Sequence, residues 1–291
     1  HPAPCYILAR THIPYMKTIL HFLARLFFRF RAFNTEVLDT PGPVLLIPNH
    51  VSWFDWLFLG VVLDKDWKFV TSATTAQTSW FHRKAMINSR TFPIDTLSPY
   101  SVRDMAAHLK KGGRLVLFAE GRISRTGELM KLFDGTGFLL HKTGAKVICA
   151  HLRNAHRMPF SPNVSLKKWF PTVTAHFSEA FTPPVYEDLR AAKARGVYTR
   201  WLRDQIVGLR FDTEMNFGAA NLPTAIVETA QMYPQKKILE DINLKALTYE
   251  RFLAGASALA NGLAERLAQG GGRIGVMLPN TNALPVSLMA L

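Results

Sequence analysis

Five short apolar runs, at residues 44–47, 68–71, 114–118, 146–150 and 172–177, alternate with stretches that read as helices at 53–63, 101–111 and 135–143. This alternation constrains the fold more than any other feature of the chain. Strands joined by helices favour a largely parallel sheet with helices on its faces, an α/β architecture. Gly112 and Gly113 close one helix directly before the run at 114–118. A helix-like stretch at 186–210 completes a unit of about 200 residues, enough for a single core. In such sheets ligands gather at the carboxyl ends of the strands. The residues that follow the apolar runs are therefore where chemistry is expected.

Two runs end in residues able to do chemistry. The first leads into NHVSWFD, Asn49–Asp55, with His50 and Asp55 five positions apart. A histidine takes a proton from a hydroxyl at neutral pH, and a carboxylate fixes its tautomer and stabilises its charged form. Five positions on a straight helix lie about 140° apart. The two side chains meet only if His50 sits on a turn and Asp55 reaches back from the first helical turn. Ser52 and Asp55 also have the spacing of a capping box, so Asp55 equally reads as a carboxylate that satisfies orphan helix amides. The second run leads into FAEGRIS, Phe118–Ser124, about 70 residues later. There Gly121 allows close backbone approach to a ligand, and Arg122 can make charge-assisted bonds to phosphate. Lys131 is a further cation nearby, and Glu120 is a candidate anchor for Arg122. A base and an anion site together suggest group transfer to an alcohol on a phosphorylated substrate.

The charge is uneven. The whole chain has 35 Lys and Arg against 21 Asp and Glu, a formal +14, yet the excess lies entirely within residues 1–210. Such an excess serves nucleic acid, anionic lipid or an acidic protein. Zinc-finger spacing, an RNA-recognition signature and a base-reading arginine helix are all missing, which argues against nucleic acid. The stretch TILHFLARLFFRFRAF, Thr18–Phe33, mixes Leu, Phe and Ile with Arg25, Arg29 and Arg31. Two readings stay open for it: a basic amphipathic, membrane-interfacial segment (residues 1–33), or an ordinary helix packed on the domain. No run of about 20 apolar residues suits a membrane span, and no secretory signal is recognisable. The chain opens on His1, which leaves a preceding membrane domain open. Two cysteines, Cys5 and Cys149, define no disulfide framework and favour a reducing compartment. His82, His108, His141, His151, His156 and His176 show no ligand spacing, and no metal is expected.

The NHVSWFD run resembles the NHxxxxD signature of the PlsC-like glycerolipid acyltransferases, and FAEGRIS resembles that family's FPEGTRS block. Ala119 stands where proline is usual, and Arg122 comes one place early. The continuation EGRISRTGELMKLFDGTGF is similar to a subgroup, the bifunctional Aas enzymes, which join an acyltransferase to an acyl-carrier-protein synthetase. The likeness runs from about residue 18 onward, and the two blocks in order form a strong signal together. It implies a glycerol-3-phosphate acyltransferase-like α/β domain over residues 34–211. It also implies His50 as general base, Asp55 as its orienting partner, and acceptor binding by Glu120, Gly121, Arg122 and Lys131. The donor would be an acyl-carrier-protein or CoA thioester, with no cofactor. The family's intermediate block carries an arginine where TFPID places Asp95, so lysophosphatidylethanolamine is expected as acceptor before lysophosphatidic acid. The resemblance places the enzyme at the cytoplasmic face of a bacterial inner membrane, with membrane phospholipids and a carrier protein as partners.

After about residue 212 the composition changes. LTYERFLAGASALANGLAERL reads as a helix, Gly270–Gly272 as a turn and Ile274–Leu278 as a strand. This order resembles the opening of the adenylate-forming (ANL), AMP-dependent synthetases, so residues 212–291 are expected to be a truncated synthetase domain. The family's ATP-gripping loop is not reached before Leu291, so fatty-acid activation is not expected. Two rival functions remain: an idle lipid-binding module that recruits a synthetase and, more remotely, a basic nucleic-acid-binding protein.

Overall fold

The computed structural model describes residues 13–73, 89–95, 98, 100–159, 161–162, 167–186, 190–269 and 273–291. It divides into two compact units, His1–Thr213 and Glu214–Leu291. Along the first run α1 (Ile13–Phe28), β1 (Arg31–Phe33), β2 (Val44–Pro48), α2 (Asp55–Val62), β3 (Trp67–Ser72) and β4 (Thr91–Ile94). These are followed by α3 (Tyr100–Lys110), β5 (Arg114–Val116), α4 (Asp134–Thr143), β6 (Lys146–Arg153), β7 (Thr174–Phe177) and α5 (Ala191–Phe217). Cys5, His82 and Gly270–Gly272 lie outside the described residues.

Seven strands form one sheet in the order β1-β7-β6-β2-β5-β3-β4. β2 is central and parallel to both β5 and β6, and β3 continues the parallel set outward to β4. All of VLLIP in β2 is buried. Val44 and Leu46 join one core with Phe58 of α2, whereas Leu45 and Ile47 join the other with Leu139 of α4 and Leu202 of α5. Successive side chains point to opposite faces, so a strand covered on both sides reads as an unbroken apolar run. Each fully buried Leu or Ile contributes about 1.5–3 kcal/mol. The strand that delivers His50 is thus held from both faces. On α5, the buried Ala194, Tyr198, Leu202 and Ile206 recur every fourth residue and cover the second core.

The α/β reading and its mostly parallel sheet agree with this architecture, with three corrections. The run at 172–177 becomes β7, which is antiparallel to β6. The described residues between them hold a short 3₁₀ turn, Ala155–Arg157, in place of a crossover helix, and a parallel return needs such a crossover. The N-terminal helix stops at Phe28, because Arg29 adopts a positive φ of 44°. Residues 31–33 then form β1 at the sheet edge, with Arg31 opposite Thr174. The remaining helix packs Leu20, Ala24 and Phe28 on the core. It turns Ile19, Phe22, Leu23, Leu26 and Phe27 outward, each 37–62% exposed.

The second unit contains α6 (Leu222–Met232), β8 (Lys237–Glu240), β9 (Ala246–Thr248), α7 (Tyr249–Gln269) and α8 (Ala283–Ala290). β8 and β9 pair as an antiparallel two-stranded sheet. The Ala- and Leu-rich run forms α7 as expected, but Ile274–Leu278 forms no strand. A lone strand leaves its backbone groups unpaired and needs neighbours to persist, and among the described residues none pairs with it.

Candidate active site

Beyond Pro48 the chain leaves β2, and Asn49 fixes the exit. Its backbone N–H donates to Ala150 O at 3.2 Å. Its side-chain Oδ1 accepts from Leu152 N at 2.7 Å, and its Nδ2 donates to Leu152 O at 3.3 Å. The side chain therefore extends the β2–β6 ladder by one rung. His50 follows on the turn, and its Nδ1 lies 2.9 Å from Asp55 Oδ2. The same oxygen accepts from the backbone N–H groups of Val51 at 2.7 Å and Ser52 at 2.9 Å. Asp55 is the first residue of α2, and its carboxylate meets His50 and satisfies two amides of the turn before the helix rather than orphan amides of the helix itself. With Oδ2 accepting throughout, Nδ1 carries the proton and Nε2 is left as the basic nitrogen. The imidazole ring packs on Phe118, with centroids 4.2 Å apart.

Asp55 is fully buried, and burial raises its pKa above 3.8 against the opposing pull of His50 and the backbone amides. Its Oδ1 has no partner among the described residues. Glu120 is also buried, and burial raises its pKa above 4.5 in the same way. Its Oε1 accepts from His50 N at 2.9 Å and its Oε2 from Met130 N at 2.8 Å. The expectation that Glu120 anchors Arg122 is therefore corrected: both of its oxygens are engaged by backbone amides. Ser124 N donates to His50 O at 2.7 Å, so the two signature blocks are joined at both backbone groups of His50.

Gly121 has φ +66°, and an added Cβ would lie 2.0 Å from the Phe133 ring. Only glycine fits this turn. Arg122 and Lys131 are exposed, and neither bonds to the His50–Asp55 pair. Arg203 donates to Met130 O at 3.1 Å, and Arg210 pairs with both carboxylate oxygens of Glu128. α5 thus holds the far side of the loop. Cys149, fully buried on β6, has its thiol pushed up to about 12 by burial and is no nucleophile at neutral pH. Sequence reasoning missed Asn49 and Ser124 as positioning residues, although each lies inside a motif it had singled out. Arg203 and Arg210 gave no local signal, since their partners are 73 and 82 positions away.

The family model described as Acyltransferase matches residues 29–153, the span that contains both signature blocks. That span is thus similar to acyltransferase domains. The chain is 27% identical over 151 residues to the chloroplastic 1-acyl-sn-glycerol-3-phosphate acyltransferase LPAT1 of Arabidopsis thaliana. That alignment covers 46% of this chain and 41% of the relative, so the chain spans about two fifths of that protein's length. A solved structure of the 1-acyl-sn-glycerophosphate acyltransferase PlsC from Thermotoga maritima is similar at 15% identity and a TM-score of 0.47. That likeness covers 70% of this chain and 84% of the other.

Proposed function

We propose that this chain is an O-acyltransferase that moves a fatty acyl group from a thioester to the free hydroxyl of a lysophospholipid. The observation that carries the reading is the 2.9 Å contact between His50 Nδ1 and the buried Asp55 carboxylate. His50 Nε2 takes the acceptor's proton as its oxygen attacks the thioester carbon. The C–S bond then breaks, and the imidazolium returns the proton to the departing thiolate, giving an ester and a thiol. Asp55 stabilises the imidazolium in between. Arg122, exposed beside the positive-φ turn at Gly121, is assigned to the acceptor's phosphate.

The acceptor we favour is lysophosphatidylethanolamine, supported by the exposed Asp95 after β4, where the resembling family carries a cation. A second reading, lysophosphatidic acid, is favoured by the name of the Arabidopsis relative. The donor is assigned to acyl carrier protein, in keeping with 29 basic against 14 acidic side chains in residues 1–210. Residues 212–291 are assigned to the opening of a synthetase domain of the Aas type, in keeping with the Ala- and Leu-rich α7. The outward apolar stripe of α1, with exposed Arg25 beside it, is assigned to a phospholipid surface. Among the described residues no helix is long and apolar enough to cross a membrane.

The test offers acyl-carrier-protein and CoA thioesters with each lysophospholipid to the wild type and to His50→Ala. ATP-independent product that disappears in the variant supports the reading. Intact vesicle binding with no product from any pair sinks it in favour of a recruitment module.

A further inference from the structure

A depression of about 450 Å³ lies between the loop that follows the Glu-Gly-Arg turn and α5. Its charged lining is Lys131, Arg200 and Arg203, with a single carboxylate, Asp134. Gly196 leaves its floor open, and a Cβ added there would lie 3.8 Å from Arg200 Nη1. Leu129 and Leu132 supply an apolar wall. The two sides are locked together. At Gly137 of α4 an added Cβ would stand 2.3 Å from Arg195 O and 2.5 Å from Thr199 Oγ1, so α4 and α5 approach as closely as glycine allows. Arg203 also donates to Met130 O at 3.1 Å. Lys131 and Arg200 are exposed and have no hydrogen bond or ion pair with a described residue. Three gathered cations with one carboxylate among them repel one another until an anion enters.

We propose that this depression, Lys131 included, is a phosphate subsite for the acyl donor rather than for the acceptor, binding the phosphate of a phosphopantetheine arm. The proposal rests on the acyl-transfer reading. Transfer between two phosphorylated amphiphiles calls for two anion sites, and Arg122 provides only one. The segment between Arg122 and Lys131 is pinned to the His50 turn directly, through Ser124 N to His50 O, and indirectly, through Met130 N to Glu120, whose other oxygen accepts from His50 N. The two cationic groups therefore flank a fixed loop, one on each side, and each can hold a different substrate. CoA and carrier protein share the phosphopantetheine phosphate, so either can be its source.

The experiment uses the full chain and the double variant Lys131→Gln/Arg200→Gln, with Lys131→Arg/Arg200→Lys as the conservative control. Arg203 is left in place because it holds Met130. Donors are acyl-pantetheine, which lacks the phosphate, acyl-4′-phosphopantetheine, acyl-CoA and acyl carrier protein. The wild type should prefer the phosphorylated arm through a KM lower by about 5- to 10-fold. The preference should collapse in the glutamine variant, return in the control, and leave the acceptor's KM unchanged. Whichever of acyl-CoA and acyl carrier protein suffers the larger KM rise identifies the source. An unchanged preference, or a KM rise confined to the lysophospholipid, overturns the subsite. Calorimetric binding of 4′-phosphopantetheine, which needs no turnover, decides the matter separately. If no donor is used, the transfer reading fails, and equal binding by wild type and variant would then overturn the subsite as well.

Discussion

The candidate residues fall into a rigid wall and an exposed rim, and the two are built in opposite ways. On one, His50, Asp55 and Glu120 are buried or half-buried and tied into the backbone of three separate segments. On the other, Arg122 and Lys131 stand exposed and are bonded to neither member of the His50–Asp55 pair. The first arrangement fixes atoms to within a fraction of an ångström, which proton transfer requires. The second leaves long cationic side chains able to follow a mobile head group, which charge attraction tolerates. Under the proposed function, chemistry falls to the rigid wall and substrate capture to the adaptable rim.

Substitutions on the rigid wall should strike turnover, and those on the rim should strike affinity. His50→Ala has the largest expected effect, a fall in kcat of roughly 10²–10⁴-fold with donor KM little changed, read from steady-state acyl transfer. Asp55→Asn places an amide N–H or an altered acceptor before His50 and two backbone amides. We expect a kcat loss of about 10²-fold, together with a changed pH–rate profile. Glu120→Gln forces an amide N–H against the N–H of either His50 or Met130. That should cost about 1–3 kcal/mol of stability, visible as a lowered Tm. Arg122→Ala should raise the acceptor's KM about 5- to 10-fold at nearly constant kcat. A kcat collapse instead would move Arg122 to the reacting centre and dissolve the contrast between wall and rim.

The smallest effect is one of pH. Asp55 and Glu120 both have pKa values raised in the folded state, mainly by burial. In the window just above the ordinary carboxylate range, these two groups bind more protons in the folded state than in the unfolded one. The contribution of these groups to stability is therefore present at low pH and is lost as pH rises through the raised values. Asp55→Asn lacks one of these ionisations. Wild-type Tm should accordingly decline relative to that variant as pH rises above the ordinary carboxylate range; parallel curves would refute the assignment.

Much of this was legible locally. The doubly covered β2 declares itself through four consecutive apolar residues, and the geometry of a five-residue interval required His50 on a turn with Asp55 reaching back. What stayed hidden depends on contacts distant in sequence. Glu120 takes its partners from residues 70 positions before it and 10 after it, and no local pattern separates that from pairing with Arg122. The short strands β1 and β4, at three and four residues, are too brief for periodicity to register. The direction of β7 was set by the connection before it, while its own composition is the same for either direction. Ile274–Leu278 has strand composition without a strand to pair with among the described residues, and pairing decides the outcome.

The buried Cys149 has a use unrelated to acyl transfer. It lies opposite Ile47 on β2 in the sheet register, and its backbone N–H and C=O are both held by Ser178. With its thiol raised to about 12, an alkylating reagent reaches it as a thiolate only after β6 has parted from its neighbours. In a Cys5→Ser background it is the sole sulfhydryl in the chain. Its labelling rate, divided by that of a free thiol, then reports the fraction of molecules in which the strand pair behind His50 has opened.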